Sequence, residues 1–174
     1  MKAERTNQND RRELFLPRWA IPLVWAVIVC IIQVLLPWAV SKIGIRFGWS
    51  QQTPGLWNLA GLPLVVAGIT LYAWCLLVHF RSYRTSVKVG FSPPHLVYGG
   101  LYKFSRNPMY ISGLIAWFGW IVYFGSPAVL LGLVLLWLFF ALRMIPQEER
   151  QLEELFGEDY LAYKRTVRRW FGRF

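Results

Sequence analysis

The residues of this chain that could do chemistry lie at two places around a long apolar middle. Every Asp and Glu falls within residues 1–13 or 148–159, so the pair Glu148-Glu149 directly follows the last hydrophobic stretch. The segment Arg106-Asn107-Pro108-Met109-Tyr110 opens the hydrophobic stretch before it. Carboxylates and an arginine at the boundary of an apolar layer predict a site for a polar ligand.

Asn107-Pro108 has the local chemistry of a helix start. An Asn side chain accepts a hydrogen bond from an early backbone N–H, and Pro fits the first helical position. Arg106 adds a permanent cation beside this helix end, and Tyr110 adds a hydroxyl in its first turn. Because the first N–H groups of a helix and its dipole attract anions, this end is predicted to bind a carboxylate-bearing ligand. A capped helix without a ligand is the alternative interpretation.

Glu148 and Glu149 follow Pro146, which cannot continue the helical hydrogen-bond ladder and is predicted to kink the chain out of the last hydrophobic stretch. As solvated acids in a first turn, the pair would only complement a helix dipole. Here the pair lies next to hydrocarbon in an otherwise basic region. One of the two is therefore predicted to contact a ligand that bears an ammonium or sulfonium group.

The elements that must position these residues are membrane-spanning helices. Of the 174 residues, 56% are hydrophobic and only 16% are charged, which is too apolar for an ordinary soluble domain. Stretches able to cross a hydrocarbon core of about 30 Å occur at 19–40, 56–80, 108–124 and 127–145. Only Gly125-Ser126-Pro127 separates the last two, which predicts a tight hairpin.

The predicted fold is an all-α membrane protein of about four transmembrane helices, in which a tight C-terminal hairpin is followed by cytoplasmic amphipathic helices. The first amphipathic helix is predicted over 147–156 and ends at Gly157, and a second covers 158–168. Three regions are predicted: a cytoplasmic tail (1–18), the first two spans with the loop after them (19–91), and a region that holds the candidate chemistry (92–174).

The net charge of +10 follows this topology rather than one binding face. Lys and Arg cluster before the first span, between the second and third, and around the end of the fourth, whereas only Lys42 and Arg46 lie in the first connection. The positive-inside rule then places both termini in the cytoplasm, in a multi-pass protein of the cell inner membrane. Attraction to membrane lipids explains the basic excess, so no nucleic-acid partner is predicted.

Neither a signal peptide nor a metal-binding motif is predicted from the sequence. No cleavable signal peptide is recognised, because the first apolar run is long and lacks a small-residue cleavage site. Cys30 and Cys75 lie mid-span without metal-ligand spacing, so no metal site is predicted.

The C-terminal half, over about residues 92–171, resembles a known group of proteins. The segment GLYKFSRNPMY at 100–110 is followed by an apolar hairpin, by Glu148-Glu149, and by FGEDY at 156–160 with Tyr163 and Val167. This ordered set resembles the isoprenylcysteine carboxyl methyltransferase and phospholipid methyltransferase superfamily. The commonest motif of that group has His where this chain has Asn107, and Asn cannot titrate near neutrality.

The resemblance implies an enzyme, a membrane methyltransferase that uses S-adenosyl-L-methionine in a cytoplasmic pocket under the hairpin. It implies no Rossmann domain, and the sequence has no glycine fingerprint for one. Arg106 joins the predicted cofactor-binding residues through its place at the helix start, and His95 joins them because it lies one residue from a family histidine position. The complete predicted cofactor-binding set is His95, Leu96, Val97, Tyr102, Arg106, Asn107, Pro108, Tyr110 and Glu148.

Arg143 and Glu149 are the predicted catalytic residues. Methyl transfer from a sulfonium is an in-line displacement, so the protein mainly aligns the reactants and excludes water. A carboxylate acceptor needs no general base, whereas an ammonium acceptor must first lose a proton to Glu149 or His95. Arg143, near the end of the fourth span, is the candidate to hold an anionic acceptor group; its alternative role is to reach lipid phosphate.

The predicted acceptor is a lipophilic small molecule or lipid taken from the bilayer, such as an isoprenylcysteine-type carboxylate. A phospholipid amine and a small hydrophobic thiol or carboxylate are alternatives, because likeness of fold does not choose among them. The alternative of another class is a non-catalytic protein, either a transporter subunit or an assembly factor. Against a transporter, the spans lack acidic residues that could form an ion relay.

Overall fold

The computed structural model describes residues 20–82 and 96–174, and this part of the chain is mostly helical. A two-stranded antiparallel hairpin, β1 (Trp49–Ser50) with β2 (Thr53–Pro54), lies between the first two long helices. Single turns of π-helix cover Ile31–Leu35 and Phe140–Met144, and a 3₁₀ turn covers Gly100–Lys103. The α-helices are α1 (Ala20–Cys30), α2 (Leu36–Val40), α3 (Leu56–Leu59), α4 (Gly61–Ser82), α5 (Pro108–Phe124), α6 (Pro127–Phe139), α7 (Ile145–Phe156) and α8 (Glu158–Thr166).

Three helical stretches in the described residues are long and apolar enough to cross a membrane: Leu23–Val40, Leu56–Val78 and Pro127–Phe156. Their outward faces carry large exposed apolar side chains such as Leu131 and Leu142, which require a lipid rather than a water environment. The predicted all-α membrane class is confirmed. The predicted third span, α5, is a shorter apolar helix of 17 residues, about 25 Å long.

Helix α5 occupies the centre of the structure, and eight of its residues are buried. Its closest neighbour is α4, because glycines let the two backbones approach. A Cβ atom added at Gly68 would overlap the backbone of Ala116, and one added at Gly61 would overlap that of Gly119. Such close approach at small residues is typical of helices that pack in a membrane.

The π-helical turn at Ile31–Leu35 is explained by two indoles of α5. Residue Leu36 donates its backbone N–H to Ile31, five residues back, which displaces the ordinary helical ladder. The displaced carbonyls of Ile32 and Gln33 accept hydrogen bonds from the Nε1 atoms of Trp117 and Trp120. In the π turn, two carbonyls thus form hydrogen bonds to the neighbouring helix α5 in addition to the hydrogen bonds within their own helix.

The C-terminal end of α5, here called the turn end, closes as the sequence predicts. Gly125 ends the helix in the left-handed conformation with φ of 56°, and the Ser126 hydroxyl accepts the Val129 N–H to cap α6. The loop after α2 is tied here through Asn58, which is fully buried. Its Nδ2 donates to the carbonyls of Phe47 and Val122, at 3.2 and 3.1 Å.

Pro146, which is predicted to kink the chain out of the last span, lies inside a helical stretch that continues beyond that span. The helix runs from Pro127 to Phe156 through the π turn at Phe140–Met144, where Ile145 donates to the Phe140 carbonyl five residues back. Pro146 is in the first turn of α7, and the widened turn before it accommodates a residue without an N–H. Helix α7 ends at Gly157 as predicted.

The opposite end of α5, here called the tail end, is covered by the C-terminal segment. Helix α8 ends at Thr166, two residues before the predicted boundary, because Val167 is extended and pairs with Arg173. The segment then docks on the loop before α5 through backbone hydrogen bonds: Arg106 donates to Arg168, and Gly172 donates to Phe104. Tyr160, Tyr163 and Val167 form a small buried core beneath it.

The α4–α5 contact can be tested with Gly68→Ala. Helix propensity alone predicts that alanine would stabilise a helix by about 1 kcal/mol. The overlap with Ala116 predicts the opposite, a loss of about 1–3 kcal/mol from overpacking. We expect a lower unfolding temperature in detergent for Gly68→Ala and little change for the control Gly99→Ala, because open space surrounds Gly99. An unchanged or raised temperature for Gly68→Ala would contradict the close packing.

Candidate ligand site at the start of α5

The start of α5 lies where it was predicted, but its cap differs. Asn107 precedes Pro108 as the capping residue, yet its side chain accepts no hydrogen bond from the helix. Instead Nδ2 donates to the Arg169 carbonyl at 3.0 Å, and the Asn107 backbone N–H donates to the Ser105 hydroxyl at 2.9 Å. The N–H groups of Met109 and Tyr110 have no partner inside the helix and no side-chain cap from the described residues. They are the anion-attracting groups of this helix end.

Glu149 lies next to this helix start and is held by two arginines. Its Oε2 accepts from Arg169 Nη2 at 2.7 Å, and its Oε1 lies 3.2 Å from Arg106 Nη1. The Glu149 side chain is only 7% exposed and that of Arg106 9%. The hydrogen bond to Glu149 raises the pKa of Arg169 above its ordinary value. A carboxylate buried in this way is stable only while its charge partners are in place.

Arg106 retains unused hydrogen-bonding capacity despite its burial. Its Nε and Nη1 atoms are both buried and have no hydrogen-bond partner in the described residues; the contact of Nη1 with Glu149 is an ion pair without hydrogen-bond geometry. Buried donors in a native structure are nearly always satisfied. The unsatisfied donors of Arg106 would be stabilised by a further acceptor, such as a carboxylate, if one reached them.

The Tyr110 hydroxyl donates a hydrogen bond of 2.9 Å to Oε2 of Glu148. This contact joins the first turn of α5 to α7 across 38 residues of sequence, as the predicted convergence of the two segments required. The Tyr110 ring packs on Phe140 in the second π turn, with ring centroids 4.7 Å apart. Glu148 is exposed, so its second oxygen remains open to a ligand that arrives from solvent.

Tyr102 forms another wall of the same region. Burial raises the pKa of its hydroxyl well above the ordinary value, and the nearby Cys75 and Glu148 raise it further. The phenol is therefore neutral at physiological pH and can donate a hydrogen bond. Its backbone carbonyl accepts the Tyr163 hydroxyl at 2.7 Å, and burial raises the pKa of Tyr163 to about 12. Tyr163 thus fixes the 3₁₀ turn on α8.

The remaining predicted site residues are distributed unevenly around this centre. Leu96 packs on the small core of Tyr160, Tyr163 and Val167, and Val97 is half-buried beside it in the sequence. Pro108 is buried at the helix start. Arg143 is exposed in the second π turn, three residues after the Phe140 that packs on Tyr110, and no ion pair to it occurs in the described residues. His95 lies outside the described residues.

Sequence reasoning missed three contributors to this site. Arg169 is one of the basic residues that the sequence analysis attributes only to attraction by membrane lipids, but it binds Glu149 through its side chain and Ser105 and Asn107 through its carbonyl. The Tyr163 hydroxyl was not assigned a partner. Helix α4 brings Cys75, which the sequence analysis considers only as a metal ligand, close enough to Tyr102 to raise the pKa of its hydroxyl. The only sequence signal was the mixture of Arg and Trp after α8, which is also typical of a lipid-surface segment.

Comparison with known proteins identifies the family. Residues 56–159 match the phospholipid methyltransferase family, and the chain belongs to it. Among relatives, the chain is 33% identical to "Protein-S-isoprenylcysteine O-methyltransferase A" of Arabidopsis thaliana over 109 residues, which cover 62% of this chain and 55% of that protein.

Two further relatives extend the range. The chain is 34% identical over 116 residues to "Protein-S-isoprenylcysteine O-methyltransferase" of Xenopus laevis, covering 63% of this chain and 38% of that protein. It is 30% identical over 144 residues to "Methanethiol S-methyltransferase 1" of Bradyrhizobium diazoefficiens, covering 74% and 50%. The matched region thus covers 55%, 38% and 50% of the lengths of these three relatives.

The ion pairs of Glu149 can be tested with Glu149→Gln, which leaves two arginines without their counter-charge. Breaking one side of a buried pair costs on the order of 3 kcal/mol, so we expect lower stability and faster exchange of the Arg106 and Gly172 amides, which hold the tail. Hydrogen exchange followed by mass spectrometry measures the protection of these amides, in the loop before α5 and in the C-terminal segment. Glu154→Gln, on an exposed side chain of the same helix, is the matched control. Equal protection in the two variants would contradict the role of this network.

Proposed function

We propose that this protein is an integral membrane methyltransferase that binds S-adenosyl-L-methionine at the tail end of α5 and transfers its methyl group to a lipophilic acceptor. The observation that carries the proposal is the convergence of an unsatisfied buried arginine, uncapped helix N–H groups and an exposed carboxylate on one place. The named relatives, which are O- and S-methyltransferases, support the same class of activity.

The residues present fit the charges of this cofactor. Its amino-acid part carries a carboxylate and an ammonium, and its sulfur is a sulfonium. Arg106 and the N–H groups of Met109 and Tyr110 would hold the carboxylate, since they are donors without acceptors. Glu148, oriented by Tyr110, would hold one of the cationic groups. Tyr102 and Pro108 would supply buried walls, and Asn107 would position this end through its bond to Arg169.

When bound, the cofactor supplies an electrophilic methyl carbon, to which an acceptor lone pair bonds as the carbon–sulfur bond breaks. The protein therefore needs no nucleophile of its own and contributes alignment and a dry environment. Tyr110, fixed between Glu148 and Phe140, links the two helices that would line the reacting atoms.

We propose a positioning role for Glu149 in place of the catalytic role predicted from the sequence. Both of its carboxylate oxygens face guanidinium groups, so neither is directed to take a proton from an acceptor. An acceptor that already carries a negative charge needs no such base. With Glu149 held in ion pairs, His95 remains the other base predicted for an amine. We propose a carboxylate acceptor, as in an isoprenylcysteine-type compound, because it needs neither residue as a base. Arg143 would then hold the acceptor carboxylate.

The proposed orientation places the tail end at the cytoplasmic face of the inner membrane. The basic residues of 103–106 and 143–173 lie at this end, whereas the turn end has only Lys42 and Arg46. A soluble cofactor would then arrive from the cytoplasm, past the exposed Glu148, and the acceptor would arrive from the bilayer.

Cofactor binding is tested by titrating the purified protein in detergent with S-adenosylmethionine. We expect Glu148→Gln to weaken binding by about tenfold, because a charge-assisted contact is worth about 1.5 kcal/mol or more. Glu154→Gln, six residues away on the same helix, should leave affinity unchanged. If Glu148 faces the sulfonium, the loss should be smaller for S-adenosylhomocysteine, which lacks that charge. No binding by a folded wild-type protein would favour the non-catalytic alternative.

The acceptor class is tested by incubation with methyl-labelled cofactor and a lipid extract at pH 6, 7 and 8. A carboxylate acceptor is already ionised over this range, so we expect a base-labile methyl ester and a nearly constant rate. A thiol or amine acceptor would instead give a rate that rises towards tenfold per pH unit, and a label that survives base. Either of these results would overturn the carboxylate assignment.

The role of Arg143 is tested by Arg143→Gln, with Arg150→Gln as the control of equal charge. We expect a KM for the acceptor about tenfold higher in Arg143→Gln, since a guanidinium–carboxylate contact is lost, and an unchanged affinity for S-adenosylmethionine. An equal rise of the KM in the two variants would contradict this role. It would indicate that Arg143 only interacts with lipid phosphate, as any basic residue at this end would.

A further inference from the structure

A second candidate site lies at the turn end, at the other end of α5 from the cofactor residues. It is a groove of about 550 Å³ between α2, the loop that follows it and the last turns of α5. This size is within the range of small-molecule sites. The wall is made of aromatic and basic side chains, chiefly Trp38, Lys42, Arg46, Trp49, Trp120 and Tyr123.

Arg46 is fixed in the groove by several contacts. Its Nε and Nη2 atoms donate to the carbonyl and hydroxyl of Ser41, both at 2.8 Å. Its guanidinium carbon lies 4.8 Å from the ring centroid of Trp49 and 5.3 Å from that of Phe124. A guanidinium has five N–H donors, so this arrangement orients the group and leaves donors over. Lys42 lies over the Trp38 ring, with Nζ 5.0 Å from its centroid.

The two cations have no acidic partner from this region of the chain. No Asp or Glu occurs in the sequence between Glu13 and Glu148, and Glu148 lies at the far end of α5. Ring faces attract cations but do not neutralise them. Among the described residues no carboxylate neutralises Lys42 and Arg46, so the groove presents a net positive charge to an anionic ligand. At the boundary of a membrane, the most abundant anion is the phosphate of a lipid headgroup.

The groove also continues into an apolar surface. Leu35 and Leu62 line it and are 50% and 38% exposed, on helices that are long and apolar enough to span the bilayer. A free phosphate ion would gain nothing from these side chains, whereas an acyl chain would lie along them. Gln52 adds a polar amide to the same wall.

We propose that this groove binds one anionic glycerophospholipid from the leaflet at the turn end. Arg46 and Lys42 contact its phosphate, and its acyl chains lie against Leu35 and Leu62. The site is separate from the proposed methyl transfer, because the 17 residues of α5 place about 25 Å between the two ends. The bound lipid holds the loop after α2 against α5 and is not a methyl acceptor.

The charge requirement is tested by thermal unfolding in detergent with short-chain phosphatidylglycerol, short-chain phosphatidylcholine or inorganic phosphate at equal concentrations. We expect the unfolding temperature to rise with phosphatidylglycerol and to change little with the other two. Lys42→Gln should weaken the apparent affinity by about fivefold, as should Arg46→Lys, which keeps the charge but loses the planar donors. Arg150→Gln, with the same loss of charge at the tail end, should have no effect.

The location is tested by filling the groove. Leu62→Trp should abolish the effect of phosphatidylglycerol, whereas Leu59→Trp should not, because Leu59 is similarly exposed but does not line the groove. Equal responses to all three ligands, or equal affinity in Leu62→Trp and wild type, would overturn the proposal. S-adenosylmethionine binding should be unchanged in Leu62→Trp. The lipid-site proposal can therefore be refuted without refuting the proposed methyltransferase function.

Discussion

The buried carboxylate of Glu149 is the contact on which the organisation of the tail end depends. A carboxylate removed from water costs several kcal/mol unless charges and hydrogen bonds replace its hydration. Here Arg106 and Arg169 supply the charges, one from the loop before α5 and the other from the segment after α8. Since Glu149 itself belongs to α7, one residue fixes three segments together. The Arg169 carbonyl, which accepts from Ser105 and Asn107, strengthens the same junction.

This junction explains why polar groups remain available at the start of α5. The Asn107 side chain is used to bind the tail, so it does not cap the helix. Arg106 forms an ion pair with Glu149, while its buried Nε and Nη1 have no hydrogen-bond acceptor among the described residues. Each of these features has a cost in the absence of a ligand. An anionic ligand would satisfy all of them, and it would be bound by groups already held in place.

Much of the fold follows from local sequence. Gly125-Ser126-Pro127 encodes a left-handed helix end, a cap and a helix start in three successive residues, so the hairpin was predictable. Gly157 likewise ends α7. The cap of Asn107 was mispredicted because its competing acceptor, the carbonyl of Arg169, is 62 residues away. The π turn before Pro146 was also missed, since a proline in a helical sequence indicates a kink unless the preceding turn widens.

The pairing of Tyr110 with Glu148 was predictable for another reason. Two polar segments at the boundaries of adjacent apolar helices joined by a three-residue turn must lie at the same face of the membrane. The partner of Glu149 could not be inferred in this way, because seven basic residues occur from Arg143 onward and their spacing does not select Arg169.

The short length of α5 connects the fold to the way in which ligands would reach the site. Its span of about 25 Å is less than the hydrocarbon thickness of about 30 Å, and its neighbours Leu56–Val78 and Pro127–Phe156 are longer. The polar start of α5 can therefore lie deeper than the ends of the helices around it, where burial by protein rather than by water must satisfy its charges. In the proposed orientation the exposed Glu148 would face the aqueous side of this depth, and the apolar helices would face the bilayer. A water-soluble cofactor and a lipophilic acceptor would then meet at one site. The cofactor would not have to enter the bilayer, and the acceptor would not have to enter water.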